Sequence, residues 1–447
     1  MRPFKRIEVL WAYGAQALNI GAGLLLLPVI LSTLPPADVG VWFVFITLGG
    51  LAQLLELGFQ PTIARNTTYI LAGAQSLQKE GLPSKIESAC EVDVGLLAKL
   101  ISSSRRIYRW VALLSAVSLL GGGSVYVYHV LSESQDKLTT LIAWNLFALG
   151  HILTFYFGYI SAVLQGRGDI SQASKVIILS RGVLIVLGTL SLTLNFGLLG
   201  LGFASLLSAA LGRIAAIRYL RLEPSTNAAI ALSRSDSGGE LASLMWHNAK
   251  KMAAVQLSAF VIQRANILIG TSFLGPAAVA SYSMTLTILM ALSSVSSVIC
   301  QIQLPRISAL HLKNDNKQIR RVYLQLNLVS VCLFLFGFLA VGLVGGPLLQ
   351  FIGSQVDPLP ARIYYIFGAI ILLEMHHSIA ATYITTLNAI PFVRSAALSA
   401  LLTFALTLSL IGPFGVLGLV IAQGLSQLLY NNWKWPLIAY QHVLREK

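Results

Sequence analysis

The chain has 447 residues, 56% of them hydrophobic and 11% charged, with a mean hydropathy of +0.75. Soluble proteins carry about 25% charged residues, so this composition excludes a water-soluble domain and points to a bilayer. The net charge of +14 does not indicate a nucleic-acid partner, because its basic residues concentrate in every second loop between apolar runs.

A helix of roughly 20 residues crosses a hydrocarbon core of about 30 Å, and twelve such segments are predicted. They cover 9–31, 40–64, 108–131, 138–164, 174–194, 197–219, 248–270, 276–303, 322–346, 362–388, 393–412 and 415–438. Arg2, Lys5 and Arg6 before the first run resemble the start of a signal peptide. The run is too long and lacks a small-residue cleavage site, so it is expected to stay as span 1. Tyr13, Gln16 and Asn19 form a polar stripe there, suited to a hydrogen-bonding ligand and equally to helix packing. Gln53, Glu56 and Gln60 make a second stripe on span 2, which Arg65 closes as an anchor at the cytosolic edge. The stretch 71–106, with Ile86, Val94, Leu97, Leu100 and Ile101 among charges, reads either as a helix on the cytosolic surface or as a solvated connector.

Span 4 carries His151, Thr154, Gly158 and Ser161 on one stripe, with His151 read as a core residue, and Gly166-Arg167-Gly168-Asp169 follows as a cytosolic turn. In span 5, Arg181 lies about a turn and a half beyond Lys175, close enough to snorkel. Span 7 holds Arg264 some fourteen residues past Lys250, roughly 20 Å at helical rise and past the bilayer centre. Gln256, Gln263 and Asn266 give the same span a polar face. An ionisable side chain at that depth costs roughly 2.5 to 3.5 kcal/mol on insertion scales and should face water or a partner. The serines from Ser293 to Ser297 in span 8 read as packing residues. Glu374 and His377 share a face of span 10, where a carboxylate beside an imidazole can take up and release a proton. The alternative is that Glu374 pairs with Arg264 or Arg181 as a lobe salt bridge. His376 reads as core.

The loop charges set the sidedness. Lys79, Lys85, Lys99, Arg105 and Arg106 fill the connection after span 2, Arg167 and Lys175 follow span 4, and Arg218, Arg221, Arg234, Lys250 and Lys251 surround the connection after span 6. Arg306, Lys313, Lys317, Arg320 and Arg321 follow span 8, with Arg394, Arg445 and Lys447 completing that side. The opposite loops hold little beyond Asp38, Glu133, Asp136, Lys137, Asp357 and Arg362. Both termini are therefore expected in the cytosol. Cys90, Cys300 and Cys332 are an odd, unclustered set, which suggests neither a disulfide framework nor a metal site.

An internal repeat relates the halves. Phe196-Gly197-x-Leu199-Gly200-Leu201-x-x-Ala204-x-x-Leu207-Ser208 recurs as Phe414-Gly415-x-Leu417-Gly418-Leu419-x-x-Ala422-x-x-Leu425-Ser426. Ser32-x-Leu34-x-Pro36-Ala37-x-Val39 recurs as Ser272-x-Leu274-x-Pro276-Ala277-x-Val279. Each pair sits between an odd span and the next even one, so the repeat is parallel. The expectation is an all-α integral membrane protein of twelve transmembrane helices in two six-helix lobes, 1–222 and 248–447, joined by a cytosolic linker over 223–247. Two copies of one bundle suggest a pathway between them, which makes transport the first hypothesis and catalysis the second.

Leu27-Pro28, Pro36-Ala37-Asp38-Val39-Gly40, Leu57-Gly58 and Ala64-Arg65 resemble the opening of bacterial polysaccharide-unit flippases. Ile269-Gly270, Leu274-Gly275-Pro276 and Val279 to Tyr282 resemble their span 7 to 8 signature. With the Phe-Gly hairpins these cover nearly the whole chain, which thereby resembles the polysaccharide transporter, Wzx-type branch of the multidrug/oligosaccharidyl-lipid/polysaccharide exporter superfamily. Asn266 stands where members often carry an acidic residue. The resemblance implies a V-shaped pair of lobes in the bacterial inner membrane that moves undecaprenyl-diphosphate-linked oligosaccharide to the periplasmic leaflet, for O-antigen or exopolysaccharide synthesis. Polysaccharide polymerase machinery and membrane lipids are the further partners to consider; no cofactor is implied. The expected cavity candidates are Arg264, Arg181, Gln16, Asn19, Gln263 and Asn266, with Glu374, His377 and Glu56 for ion coupling or a lobe salt bridge. A cation-coupled drug antiporter of the same superfamily is the alternative. A membrane polysaccharide polymerase is a third, disfavoured because no long external loop, nucleophile elbow or phosphate-cradling loop is present. No catalytic residue is expected.

Overall fold

The computed structural model describes residues 6–56, 58–77, 92–131, 136–233, 241–312, 315–386 and 391–444. Among these the chain is helical, with no β-strand. The first half comprises α1 (Arg6–Thr33), α2 (Pro36–Gln53), α3 (Phe59–Leu71), α4 (Val94–Ala116), α5 (Ser124–Val130), α6 (Lys137–Tyr156), α7 (Gly158–Gly166), α8 (Ile170–Thr193) and α9 (Gly197–Arg221). A short α10 (Pro224–Leu232) leads to α11 (Ala242–Leu274), α12 (Pro276–Leu312), α13 (Asn316–Phe351), α14 (Ala361–Thr385), α15 (Val393–Phe414), α16 (Val416–Leu428) and α17 (Asn431–Leu444).

Eleven helical runs among the described residues are long and apolar enough to cross a membrane, and the chain is a multi-pass membrane protein. The twelfth expected span, 415–438, is divided between α16 and α17 at Leu429 and Tyr430. Three other spans are also not simple helices. Span 2 passes through a 3-10 turn at Leu54–Glu56 and a left-handed Gly58 (φ 73°) before α3. Span 3 joins α4 to α5 through a π-helical stretch, Val117–Gly123. Span 4 is interrupted at Phe157 (φ −101°, ψ 10°) between α6 and α7.

Local chemistry places the helix starts. Pro36 and Pro276 open α2 and α12, where a missing N–H costs nothing. Asp93, Asp136 and Asp315 cap α4, α6 and α13 by accepting from backbone N–H groups of Leu96 at 2.8 Å, Leu138 at 3.1 Å and Gln318 at 3.0 Å. The residues 94–106 are helical, as the first of the two readings expected, and do not form a loose connector. They are the first turns of α4, and Leu97, Leu100 and Ile101 are buried where α3 and α10 pack against that helix. Ile86 and Cys90 lie outside the described residues.

The structure divides into two compact units, Met1–Thr33 with Phe45–Gln256 and Leu34–Val44 with Leu257–Lys447. Within the first, α8 packs on α9, α6 on α9, α3 on α7, and α4 on α6; within the second, α15 packs on α16, α14 on α17 and α16, α12 on α14, and α13 on α14. These are the same span pairs six positions apart. The repeated Phe-Gly motif folds alike in both: Gly197 and Gly415 have φ of 56° and 54°, a conformation glycine adopts without a Cβ penalty. A Cβ on Gly200 would strike Ser191 and one on Gly418 the Leu410 carbonyl, so each hairpin closes on the second glycine of its motif. The segment expected as a linker contains α10, which packs on α4 and α9; 234–240 lie outside the described residues.

Candidate functional site

In the first unit the structure joins two candidates from spans 1 and 5. Arg181 on α8 donates from Nε at 3.2 Å and Nη2 at 2.9 Å to Oδ1 of Asn19 on α1. One neutral oxygen thus fixes one edge of the guanidinium and leaves its charge uncompensated. α1 and α8 pack along each other, which brings the two residues together across 162 positions of sequence. Gln16, a turn before Asn19, is exposed. His151 on α6 bonds the Phe147 carbonyl through Nδ1 at 3.2 Å and stacks in the column Trp144–Phe147–His151–Phe155, within Coulombic reach of Arg181.

A second cluster in this unit contains a residue absent from the candidates that the sequence suggests. Glu56, in the 3-10 turn of span 2, accepts a 2.5 Å hydrogen bond from the Tyr108 hydroxyl on α4. Arg213 on α9 is within Coulombic reach of both, yet its Nη1 donates to Ser161 Oγ on α7 at 3.1 Å. Gly158 makes room for the arrangement, because the Tyr108 ring occupies the place of its Cβ. The expected Gln53–Glu56–Gln60 stripe is not one helical face, since the 3-10 turn and Gly58 reset the phase within it. The break at Phe157 likewise separates Thr154 from Ser161.

The second unit holds its polar groups differently. Asn266 is buried and committed at both ends: its Nδ2 donates to the Leu419 carbonyl on α16 at 3.0 Å, and its Oδ1 accepts from Thr407 on α15 at 2.8 Å. Glu374, 7% exposed, accepts from Gln423 Nε2 at 2.9 Å, and His377 Nδ1 lies 2.7 Å from Asn432 Oδ1. The carboxylate and the imidazole therefore bond to different elements, α16 and α17, and not to each other. Within this unit no ion pair joins Glu374 to Arg264. His376 meets the Tyr440 hydroxyl at 3.3 Å. Arg264 and Gln263 are half-buried. Among the described residues no hydrogen bond is made to Arg264, which acts on the buried Tyr282 at Coulombic distance. Between α12 and α14 a cleft of about 50 Å³ is lined by Ser293, Ser297, Cys300, Gln301, Ser378 and Thr382 over Met375 and Ile379.

No protein-family model matches the chain, and no curated protein matches it. Solved structures do. An inward-facing multidrug resistance MATE family transporter of the MOP superfamily is similar with a TM-score of 0.74 at 14% identity, covering 97% of this chain and 98% of the other. The fold is that of a MATE-type transporter. The MATE multidrug transporter DinF-BH in complex with R6G gives a TM-score of 0.63 at 14% identity, over 99% and 97% of the two chains. A MOP superfamily transporter from Pyrococcus furiosus Vc1, described as having a binding pocket of reverse polarity that suggests a different function, gives 0.57 at 13% identity over 98% and 95%. Each of these matches extends over 97% or more of this chain.

Proposed function

We propose that this protein flips undecaprenyl-diphosphate-linked oligosaccharide from the cytosolic to the periplasmic leaflet of the bacterial inner membrane by alternating access, for surface polysaccharide synthesis, beside polysaccharide polymerase machinery. The observation that carries this reading is a set of guanidinium groups within the apolar helices that, among the described residues, form no ion pair and are held by neutral partners or by none. Arg181 is held by a neutral amide, Arg213 by a neutral hydroxyl and Arg264 by no hydrogen bond among the described residues. Guanidinium groups so placed retain donors for the oxygens of a diphosphate, which they pair bidentately. The membrane potential assists outward movement of an anion by about 2.3 kcal/mol per charge at 100 mV. In the Pyrococcus furiosus transporter a pocket of reverse polarity goes with a suggested difference in function, which supports reading charge rather than fold as the substrate signal.

The test is export in cells carrying Arg264→Ala or Arg181→Ala. Surface polysaccharide should be lost and lipid-linked oligosaccharide should accumulate on the cytosolic leaflet, with the protein still inserted. Normal polysaccharide in both variants would remove the reading. A drug antiporter is favoured by one observation, the buried carboxylate of Glu374, a suitable partner for a cation. Drug sensitivity on deletion, with normal polysaccharide, would select it.

A further inference from the structure

Four spans of the first unit meet at the cluster of Glu56, Tyr108, Ser161 and Arg213. Two opposite charges sit there within Coulombic reach, and in a low-dielectric interior such charges attract strongly. Yet no ion pair of 4 Å or less joins Glu56 to Arg213. Each is bonded to a neutral hydroxyl instead, the carboxylate to Tyr108 and the guanidinium to Ser161. The Arg213 Nε is buried without a partner. A buried polar atom of that kind needs an explanation, and a guanidinium offers five donors, of which Ser161 uses one.

The cluster also lies beside breaks in two spans. Gly58 precedes α3 two residues past Glu56 in its 3-10 turn, and Phe157 precedes α7, which carries Ser161. The half-helices beyond these breaks, α3 and α7, are fastened together: Thr68 Oγ1 donates to the Gly166 carbonyl at 2.7 Å, and a Cβ on Gly166 would strike the Ala64 carbonyl. Irregular backbone within a span is tolerated where it lines a cavity or a site. Glu56, Ser161 and Arg213 are half-buried rather than sealed.

We propose that Arg213 and Glu56 form a joint site for one phosphate-type oxyanion and one proton, an inference that rests on the flippase reading and names a coupling site for it. The oxyanion accepts from the free edge of Arg213. Its charge would be repelled by an ionised Glu56, so its entry draws a proton from water onto a Glu56 oxygen, turning carboxylate into carboxylic acid. Departure of the anion returns that proton to water. The groups that act on Glu56 are Tyr108 of α4 and Arg213 of α9. Beyond them, Tyr159 of α7 lies 6.5 Å from the Tyr108 ring with Arg105 of α4 over it at 5.9 Å. Arg65 of α3 is exposed, six residues past the start of that helix. Tyr108 remains bonded to Glu56 in both states as the positioning residue.

The experiment is calorimetric titration of the purified full chain in nanodiscs, with inorganic pyrophosphate, in two buffers of unlike ionisation heat. The wild type should bind with uptake of about one proton per anion, by linkage. Glu56→Gln should bind pyrophosphate with no proton uptake. Arg213→Gln should weaken binding by about tenfold or more, the loss expected for hydrogen bonds to a charged group. Arg213→Lys keeps the charge without the fork; it should weaken binding less and retain the proton uptake. A second series has undecaprenyl diphosphate in the nanodisc: if it displaces pyrophosphate, the lipid headgroup is the ligand, and if it does not, free phosphates are. Binding unchanged in both Arg213 variants, or proton uptake persisting in Glu56→Gln, overturns the site. Should pyrophosphate binding then depend on Arg181 or Arg264 instead, the flippase reading survives. Should the wild type take neither diphosphate but bind a lipophilic cation, both fall.

Discussion

The two units share a packing scheme and differ in where they put polarity. In the first, ionisable groups are half-buried and bonded to single neutral partners, Arg181 to Asn19 between continuous helices, and Arg213 to Ser161 and Glu56 to Tyr108 beside helix breaks. In the second, α11 to α15 run unbroken and the polar groups are buried amides, hydroxyls and a carboxylate with partners on neighbouring helices. The Asn266 amide, bonded at both ends, rigidifies its core, even though Gln423 Oε1 and Asn432 Nδ2 in the same unit are buried without a partner. A partly bonded guanidinium such as Arg213 keeps donors for something else. The second unit nevertheless holds one half-buried cation, Arg264, with no hydrogen bond among the described residues, so the contrast lies in its amides and carboxylate and not in every charge.

The sharpest way to break this contrast is to remove Asn266. Replacement by Leu leaves the Leu419 carbonyl and the Thr407 hydroxyl unpaired in a buried place, at about 1 to 3 kcal/mol for each group. We expect a loss of about 3 kcal/mol in denaturant unfolding in detergent. A stability equal to wild type would show that the second unit does not depend on its network. Gly158→Ala comes next. Its methyl needs the space of the Tyr108 ring, and overpacking costs about 1 to 3 kcal/mol. The displaced ring takes its hydroxyl off Glu56, so transport should fall along with stability. In the second unit, Gly368→Ala collides with the Phe338 ring, which stacks on Tyr364 and Phe334. It should cost similar stability and leave transport per folded molecule unchanged.

Helix number, order and repeat are legible in the sequence because apolar length and the Phe-Gly turns are local properties of the chain. The breaks are not. Neither Phe157 nor the Leu429–Tyr430 interruption is marked by proline, and Gly58 resembles any helix glycine until its φ of 73° is seen. Arg213 does not stand out because Arg218 and Arg221 follow it closely and give it the look of one more cytosolic anchor. A phase check would separate it, since five residues on a helix turn Arg218 to a different face. Asn266 stands out for its depth in span 7, but its partners lie 141 and 153 residues away. Only the packing of α11 against α15 and α16 reveals that both ends are already used. Arg181 and Asn19 are each conspicuous in the sequence, while their contact depends on the pairing of α1 with α8.

Asn19→Ala tests whether a single neutral acceptor matters to a half-buried cation. Solvent can replace the lost oxygen, so the stability change should be about 1 kcal/mol. The effect on export should exceed it, because the freed guanidinium loses its aim. Asn19→Asp, which supplies a competing charge, should impair export more than it changes stability. Equal export in both variants would make the Asn19 contact a packing detail.

The smallest effect separates the starts of spans 4 and 10. Asp136 caps α6 and is exposed, and hydrogen bonds from the Thr139 hydroxyl and amide hold its carboxyl below the usual range. A depressed carboxyl contributes stability that is fully present above the ordinary value of about 3.9 and is lost as the pH falls through the lower folded value. Span 10 begins after Pro360, where no side chain caps α14. Thermal melts of wild type and Asp136→Asn should therefore differ by a constant small gap above about pH 4 that closes in more acid solution. Pro360→Ala should show no gap with that pH dependence. If the Asp136→Asn gap is the same at both ends of the range, the carboxylate contributes nothing as an anion, and the hydroxyl of Thr139 holds the turn without it.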